Sequence, residues 1–266
     1  MQRPRYDHKN IRQYYDNVYY REAAASKIIP RHLVRLSKKM NIRKGLRVMD
    51  IGCGTGKWLH AVYKQGADPV GIDLSSKAVK TCKKIIPDSN FYLAVAEALP
   101  FNNNQFHIVS ALGTLEHFLD QEAALKEMAR VARDDARFLL LVPNADFLTR
   151  KLGFFRGTGQ VEIREDIRTL KGWQELFETA GIEVIKRWKD LHVVSWSWIA
   201  ARSWFHIPIR ALQAFALVFW PLSWQYQVYF LCKKRTSNAS TPIPTIPPKQ
   251  PGESFGNPKE KPSLMG

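Results

Sequence analysis

The chemistry of this chain is concentrated in one short run, Val48-Met49-Asp50-Ile51-Gly52-Cys53-Gly54-Thr55-Gly56. Three glycines stand at alternate positions behind an apolar stretch. Glycine lets the backbone turn tightly and lets a ligand approach where a Cβ would intrude. A helix expected after the loop offers free N–H groups to a carboxylate. Asp50 can receive a ligand ammonium, or hold the loop by accepting backbone N–H bonds. Further on, Val70-Gly71-Ile72-Asp73-Leu74-Ser75 places a second carboxylate at a strand end. Asp73 there can bind both hydroxyls of a ribose while Leu74 packs on the base. Asp73 would also suit a helix cap, because Ser75 and Ser76 follow; its company with the glycine loop favours the ribose.

The spacing separates ligands. A dinucleotide fingerprint needs Gly-x-Gly-x-x-Gly, but here the third glycine comes one residue early and Lys57 follows Gly56. That disfavours a nicotinamide reductase. No Gly-Lys-Ser/Thr follows at the distance a phosphate loop requires. Cys53, Cys82 and Cys232 are far apart and lack metal-ligand spacing. Neither a disulfide framework nor a metal is expected.

These residues must be held by alternating strands and helices. Short apolar runs at 46–51, 69–72, 91–95, 106–112 and 138–142 read as strands, with another starting at 182–185. Helices are expected at 55–65, ending at Gly66, from Ser75 or Ser76 to about residue 85, at 121–131, and at 169–179, ending at Gly181. This order implies a parallel sheet with helices on both faces. Ligands of such sheets bind beyond the carboxyl ends of the strands. Residues 10–41 read as helical, in one or two pieces broken near Pro30.

Charge divides the chain. The net charge is +16 over 266 residues, of which residues 1–48 carry +10, residues 233–266 carry +4 and the middle only +2. Basic ends suit an anionic substrate, an anionic membrane surface or nucleic acid, and equally a solvated surface. Residues 1–10 are polar and lack an apolar run, so no secretory signal is expected. A reducing cytoplasm is the expected compartment. Residues 234–266, rich in Pro, Ser, Gly and Lys, are expected to be a disordered tail.

The segment from Leu46 to about Asn144 resembles the S-adenosylmethionine-binding core of class I methyltransferases of the small-molecule "type 11" group. The glycine loop and Asp73 are joined in this by Ala96-Glu97-Ala98-Leu99-Pro100-Phe101, by Phe106-His107-Ile108-Val109 leading to Leu115-Glu116-His117, and by Ala129-Arg130-Val131-Ala132 with Phe138-Leu139-Leu140-Leu141-Val142-Pro143-Asn144. Gly172-Trp173 and Ala180-Gly181 fit the pattern before the sixth strand. The resemblance implies a Rossmann-like α/β fold with a mostly parallel seven-stranded sheet, and S-adenosylmethionine as cofactor. It places Asp50 and Gly52 near the methionine part, with Cys53, Gly54 and Gly56 in the loop passing close by. Asp73 would hold the ribose, Leu74 would stack on the adenine, and the Ala96 N–H would meet the ring edge. Backbone around Leu112 and Gly113 would reach the methionine amino group. The family often has Asp where this chain has Val95, which leaves Glu97, water or backbone for the adenine amino group. The usual Pro-Gly-Gly turn before the fifth strand is replaced by Asp134-Asp135-Ala136, also a plausible turn.

The cofactor carries the difficult chemistry, so the protein has to place a nucleophile and remove its proton. His117, after the fourth strand, is the candidate base; positioning the substrate or bonding to Glu116 are its other roles. Tyr14 and Tyr15, in an N-terminal segment that covers the site in such enzymes, are candidates for the substrate pocket.

Residues 192–224 depart from a plain core. Trp196, Trp198, Trp204, Trp220 and Trp224 fall here, and residues 211–232 contain no charge. A helical insertion at 199–219, ahead of a last strand at 225–231, suits a substrate lid, a segment lying at a membrane interface or a transmembrane helix, the last weakened by Pro221 and by Gln213, Ser223, Gln225 and Gln227. The domain plan is thus a basic helical cap (1–45), the α/β core (46–191), the insertion (192–224), the last strand (225–233) and the tail. The leading function is methylation of oxygen or nitrogen on a small hydrophobic or anionic acceptor, such as a lipid or quinone-like precursor. That enzyme would be cytoplasmic or peripheral at the inner face of the membrane. RNA methylation and non-enzymatic cofactor binding are the alternatives. Nucleic acid is disfavoured because no Asn-Pro-Pro-aromatic motif or RNA-binding module occurs.

Overall fold

A computed structural model describes residues 7–22, 24–153, 165–192 and 207–235. Of the tail expected at 234–266, Lys234 is the last residue of a strand and residues 236–266 lie outside the described residues, as do the tryptophans Trp196, Trp198 and Trp204 and the first part of the expected insertion helix.

Seven strands form one sheet: β1 (Arg47–Ile51), β2 (Asp68–Asp73), β3 (Asn90–Leu93), β4 (Phe106–Leu112), β5 (Ala132–Pro143), β6 (Ile182–Lys189) and β7 (Gln227–Lys234). Their order is β3-β2-β1-β4-β5-β7-β6. The first five run parallel, whereas β7 is antiparallel to both β5 and β6. The strands β1, β4 and β5 are apolar runs because both faces are covered.

The helices are α1 (His8–Tyr14), running on into a π-helical turn (Tyr15–Tyr19), α2 (Arg31–Lys39), α3 (Lys57–Lys64), α4 (Ser76–Ile85), α5 (Gln121–Val131), α6 (Leu148–Lys151), α7 (Leu170–Thr179) and α8 (Ile207–Phe219). One core gathers α5 and α7 against one sheet face, with Trp173, Phe177 and Phe230 fully buried in it. The Trp173 indole N–H finds its acceptor in the Pro143 carbonyl, 2.7 Å away. The other core gathers α2, α3 and α4 against the opposite face, around Met40, Leu59, Cys82 and Ile86.

Local chemistry explains most boundaries. Ser75, Asp120 and Thr169 each accept the N–H three residues on, starting α4, α5 and α7. Gly66 and Gly181 take positive φ, of 82° and 77°, just past the ends of α3 and α7. α3 starts at Lys57 rather than Thr55, because Gly56 sits at φ 75°, outside the helical region. Two expectations are corrected. Of residues 10–41, expected to be helical in one or two pieces broken near Pro30, residues 20–22 and 24–30 are not helical, so α1 and α2 are separated by a longer stretch that ends at Pro30. The turn expected at Asp134-Asp135-Ala136 is part of β5: Phe106 pairs with Ala132 and Ile108 with Arg137, so residues 133–136 form a bulge in a continuous strand.

Candidate active site

A cleft opens at the carboxyl ends of β1, β2 and β4. Gly52, the first glycine of the loop, lines it. Gly52, Gly54 and Gly56 take φ of 70°, 53° and 75°, the left-handed region that disfavours a side chain. Space is closed as well: a Cβ on Gly52 would lie 2.6 Å from Thr114 Cγ2, and one on Gly56 2.8 Å from Cys82 Sγ. The loop is fastened to β2, since the N–H groups of Gly52 and Cys53 both donate to the Ile72 carbonyl.

Asp73 stands in the cleft wall at the end of β2. Its Oδ2 accepts the Gly54 N–H and its Oδ1 the Ser75 N–H, each at 2.8 Å. Burial pushes its carboxyl up to about 6, against the pull of those two bonds and with a further push from the Asp16 carboxylate. Each oxygen retains acceptor capacity for a ligand hydroxyl. Leu74, Ala96 and Glu97 line the same wall, with Gly52 and Gly113 across from them. Val95 lines it too, at the position where the family often has an acid.

Other expected residues lie underneath. Asp50, Cys53, Gly54, Gly56 and Leu112 are not in the cleft wall. Asp50 is buried and accepts the Ser110 hydroxyl at 2.6 Å, while the Trp58 indole N–H donates to that hydroxyl at 3.0 Å. Burial raises the Asp50 carboxyl to about 7. It braces β1 against β4 below the loop. The room at Gly54 is taken by Tyr20, whose hydroxyl would meet an added Cβ at 2.9 Å. Glu97 is engaged elsewhere: Oε1 accepts the N–H groups of Leu119 and Asp120, at 3.0 and 3.3 Å, and Oε2 meets His8 Nε2 at 3.2 Å.

The N-terminal segment roofs the cleft with His8, Ile11, Tyr15, Tyr19 and Tyr20. Tyr14, one residue from Tyr15, is not in the wall, because successive helical side chains diverge by about 100°. Sequence reasoning missed Tyr19, Tyr20 and Ile11. The steps of three and four between positions 8, 11, 15 and 19 were the available signal. Asp16 latches this roof: its carboxylate accepts Ser75 Oγ–H at 2.6 Å, Ser76 Oγ–H at 3.0 Å and the Lys77 N–H at 3.2 Å.

His117 ends a short 3-10 turn after β4 and lines the cleft, its ring 6.4 Å from that of Tyr15. Burial lowers its pKa, opposed by Glu165. Its buried Nδ1 has no hydrogen-bond partner among the described residues, so a bond from Nδ1 to Glu116 is not formed. Glu116 is itself buried and raised to about 8 by that burial.

A parallel sheet with a reversed strand inserted beside its edge, a glycine loop after β1 and an acid ending β2 define a class I S-adenosylmethionine-dependent methyltransferase. The residues fit that cofactor, because Asp73 would supply acceptors for the ribose, and Leu74 and Ala96 would give the base an apolar seat. The chain belongs to the methyltransferase domain family, whose model matches residues 19–187. It is 28% identical to the uncharacterized methyltransferase YcgJ of Bacillus subtilis, over 72% of this chain and 76% of that one. It is also 28% identical to demethylmenaquinone methyltransferase of Renibacterium salmoninarum, over 63% of this chain and 70% of the relative. The crystal structure of YcgJ superposes with a TM-score of 0.54 at 23% identity, covering 77% of this chain and 99% of the other.

Proposed function

We propose that this enzyme methylates an oxygen or nitrogen of a small apolar acceptor, with His117 taking the proton. Bound S-adenosylmethionine supplies a methyl group already activated on its sulfonium. The chain's own part is to hold the ribose at Asp73, to roof the cleft against water, and to keep a base beside the acceptor. The observation that carries this reading is the His117 imidazole, its buried Nδ1 without a hydrogen-bond partner among the described residues, in a wall shared with Tyr15, Tyr19, Phe118 and Leu119. No Lys or Arg is among the described residues of that wall, which favours an uncharged acceptor over an anionic one and over an RNA backbone. The demethylmenaquinone methyltransferase likeness supports an apolar acceptor; on a demethylmenaquinone itself the methyl group would go to a ring carbon.

A radiolabelled methyl donor offered with reduced demethylquinones and with a polar-lipid extract tests the reading. Label should enter an extractable apolar product as an oxygen- or nitrogen-bound methyl group, and label found only on a ring carbon would overturn the choice of atom. His117→Ala should lower that turnover by about 100-fold or more, the usual worth of a general base, and leave affinity for S-adenosylhomocysteine unchanged. Equal turnover in the variant removes His117 from the mechanism. An acceptor that proves to be RNA overturns the proposal.

The expected place at the inner face of a membrane has no crossing helix behind it: no described helix is long and apolar enough to span a bilayer. What supports a membrane setting is the surface of α8.

A further inference from the structure

Helix α8 carries its apolar stripe outward. Ile209, Leu212, Phe215 and Phe219 are 60–69% exposed, whereas Ala214 is buried. The four exposed residues follow one another at steps of three and four, so they share one face. The rings of Phe215 and Phe219 meet at 4.8 Å. Just past the helix, Trp224 is 41% exposed and packs edge-on against Trp220. An amphipathic helix laid on a domain normally turns such a stripe inward. A contiguous apolar patch left outside marks a surface built for a partner.

A basic rim adjoins the patch. The Lys189 ammonium donates to the Val218 carbonyl at 2.7 Å, joining the end of β6 to α8. The preceding residue, Trp188, carries the Lys39 ammonium 3.7 Å above its ring. Lys39 belongs to α2, on which Arg31, Arg35 and Lys38 are exposed.

We propose that the α8 face and this basic rim seat the enzyme on an anionic phospholipid bilayer. Apolar side chains enter the acyl boundary while the rim meets the headgroups. Trp224 has the amphipathic character that favours the headgroup level. With 13 residues, α8 is about 20 Å long, too short for a hydrocarbon core of about 30 Å, so it lies in the surface. A second copy docked on the same face by a two-fold axis would set like-charged rims beside each other, which disfavours it. The placement suits the enzyme, because β7, which follows α8, begins opposite Pro143 at the carboxyl end of the sheet, where the cleft opens.

Co-sedimentation of the full chain with vesicles tests this. Phosphatidylcholine vesicles are compared with vesicles in which about 30% of the lipid is phosphatidylglycerol, at about 0.1 M salt. Binding to the anionic vesicles should exceed binding to the neutral ones by about tenfold or more. The double variant Leu212→Asp, Phe215→Asp should lose about tenfold or more of it. Arg35→Glu with Lys38→Glu, which leaves the apolar face intact, should bring anionic binding down towards the neutral level. Both variants should bind S-adenosylhomocysteine as the parent does, which verifies their fold. A parent that ignores both vesicles, equal binding to both kinds, or a lipid-free dimer that Phe215→Asp dissociates overturns the proposal. Cofactor affinity and turnover on a dissolved acceptor are read without vesicles, so a failed vesicle test leaves the methyl-transfer reading standing.

Discussion

Replacing Asp73 with Asn tests the cofactor grip directly. Both carboxylate oxygens already accept backbone N–H groups, from Gly54 and Ser75 at 2.8 Å. An amide of the same shape turns one of those acceptors into a donor facing an N–H, and removes the charge that a ribose hydroxyl would meet. A hydrogen bond to a charged acceptor is worth about 1.5–3 kcal/mol. Losing one such bond weakens binding by roughly 10- to 150-fold. The parent should also show a pH signature. Its Asp73 carboxyl titrates near 6 in the free protein, raised by burial, and the ribose favours the ionised form. Affinity should therefore be flat above about pH 6 and fall by up to tenfold per unit below it. The linkage to stability runs the other way. A folded pKa above the unfolded one gives stability that is full below about pH 4 and is lost as pH rises through about 6. Calorimetry with S-adenosylhomocysteine from pH 5 to 8 reads the affinity of both proteins. A variant within about threefold of the parent at pH 7.5, or one that keeps the parent's slope below pH 6, would refute the assigned role.

Two further outcomes concern the loop and the roof. Gly52→Ala puts a side chain at φ 70° and a Cβ 2.6 Å from Thr114 Cγ2; the left-handed conformation alone costs about 1–2 kcal/mol, so a melting temperature lower by several degrees is expected, and an unchanged one would show the loop to be slack. Asp16→Ala removes the acceptor of Ser75, Ser76 and Lys77 while Ser75 still caps α4. Trypsin cleavage at Arg21 should then rise about fivefold for each 1 kcal/mol by which the roof is loosened, with the melting of the core little altered, and an unchanged cleavage rate would mean that other interactions hold the roof.

The floor of the site was legible because its signals are local. Alternate glycines at 52, 54 and 56 and an acid ending β2 need only neighbours to be understood. The alternation of strands and helices was legible for the same reason. What escaped depends on partners distant in sequence. Nothing near Glu97 announces that it answers His8, 89 residues away, and the N–H groups of Leu119 and Asp120. Asp134 and Asp135 have turn chemistry, yet pairing of the flanking residues with Phe106 and Ile108 keeps them within a strand. Asp50 was expected beside the ligand because it precedes the glycines. Alternation along β1, and the Ser110 hydroxyl on β4, turn it beneath the loop instead. Tyr14 and Tyr15 adjoin in sequence, and helical geometry separates them.

The antiparallel pairing of β6 with β7 has a consequence for how such a scaffold diversifies. Lys189 faces Val228 across the ladder, so the chain leaves the sheet and re-enters it within one strand spacing. Whatever is carried between those points is a hairpin excursion, whose closure entropy rises only slowly with length. Segments of different size and polarity can be exchanged at that port while the five parallel strands and their nucleoside pocket stay as they are. In this chain the port holds α8, so the outward apolar face is borne by the part of the fold that is easiest to replace.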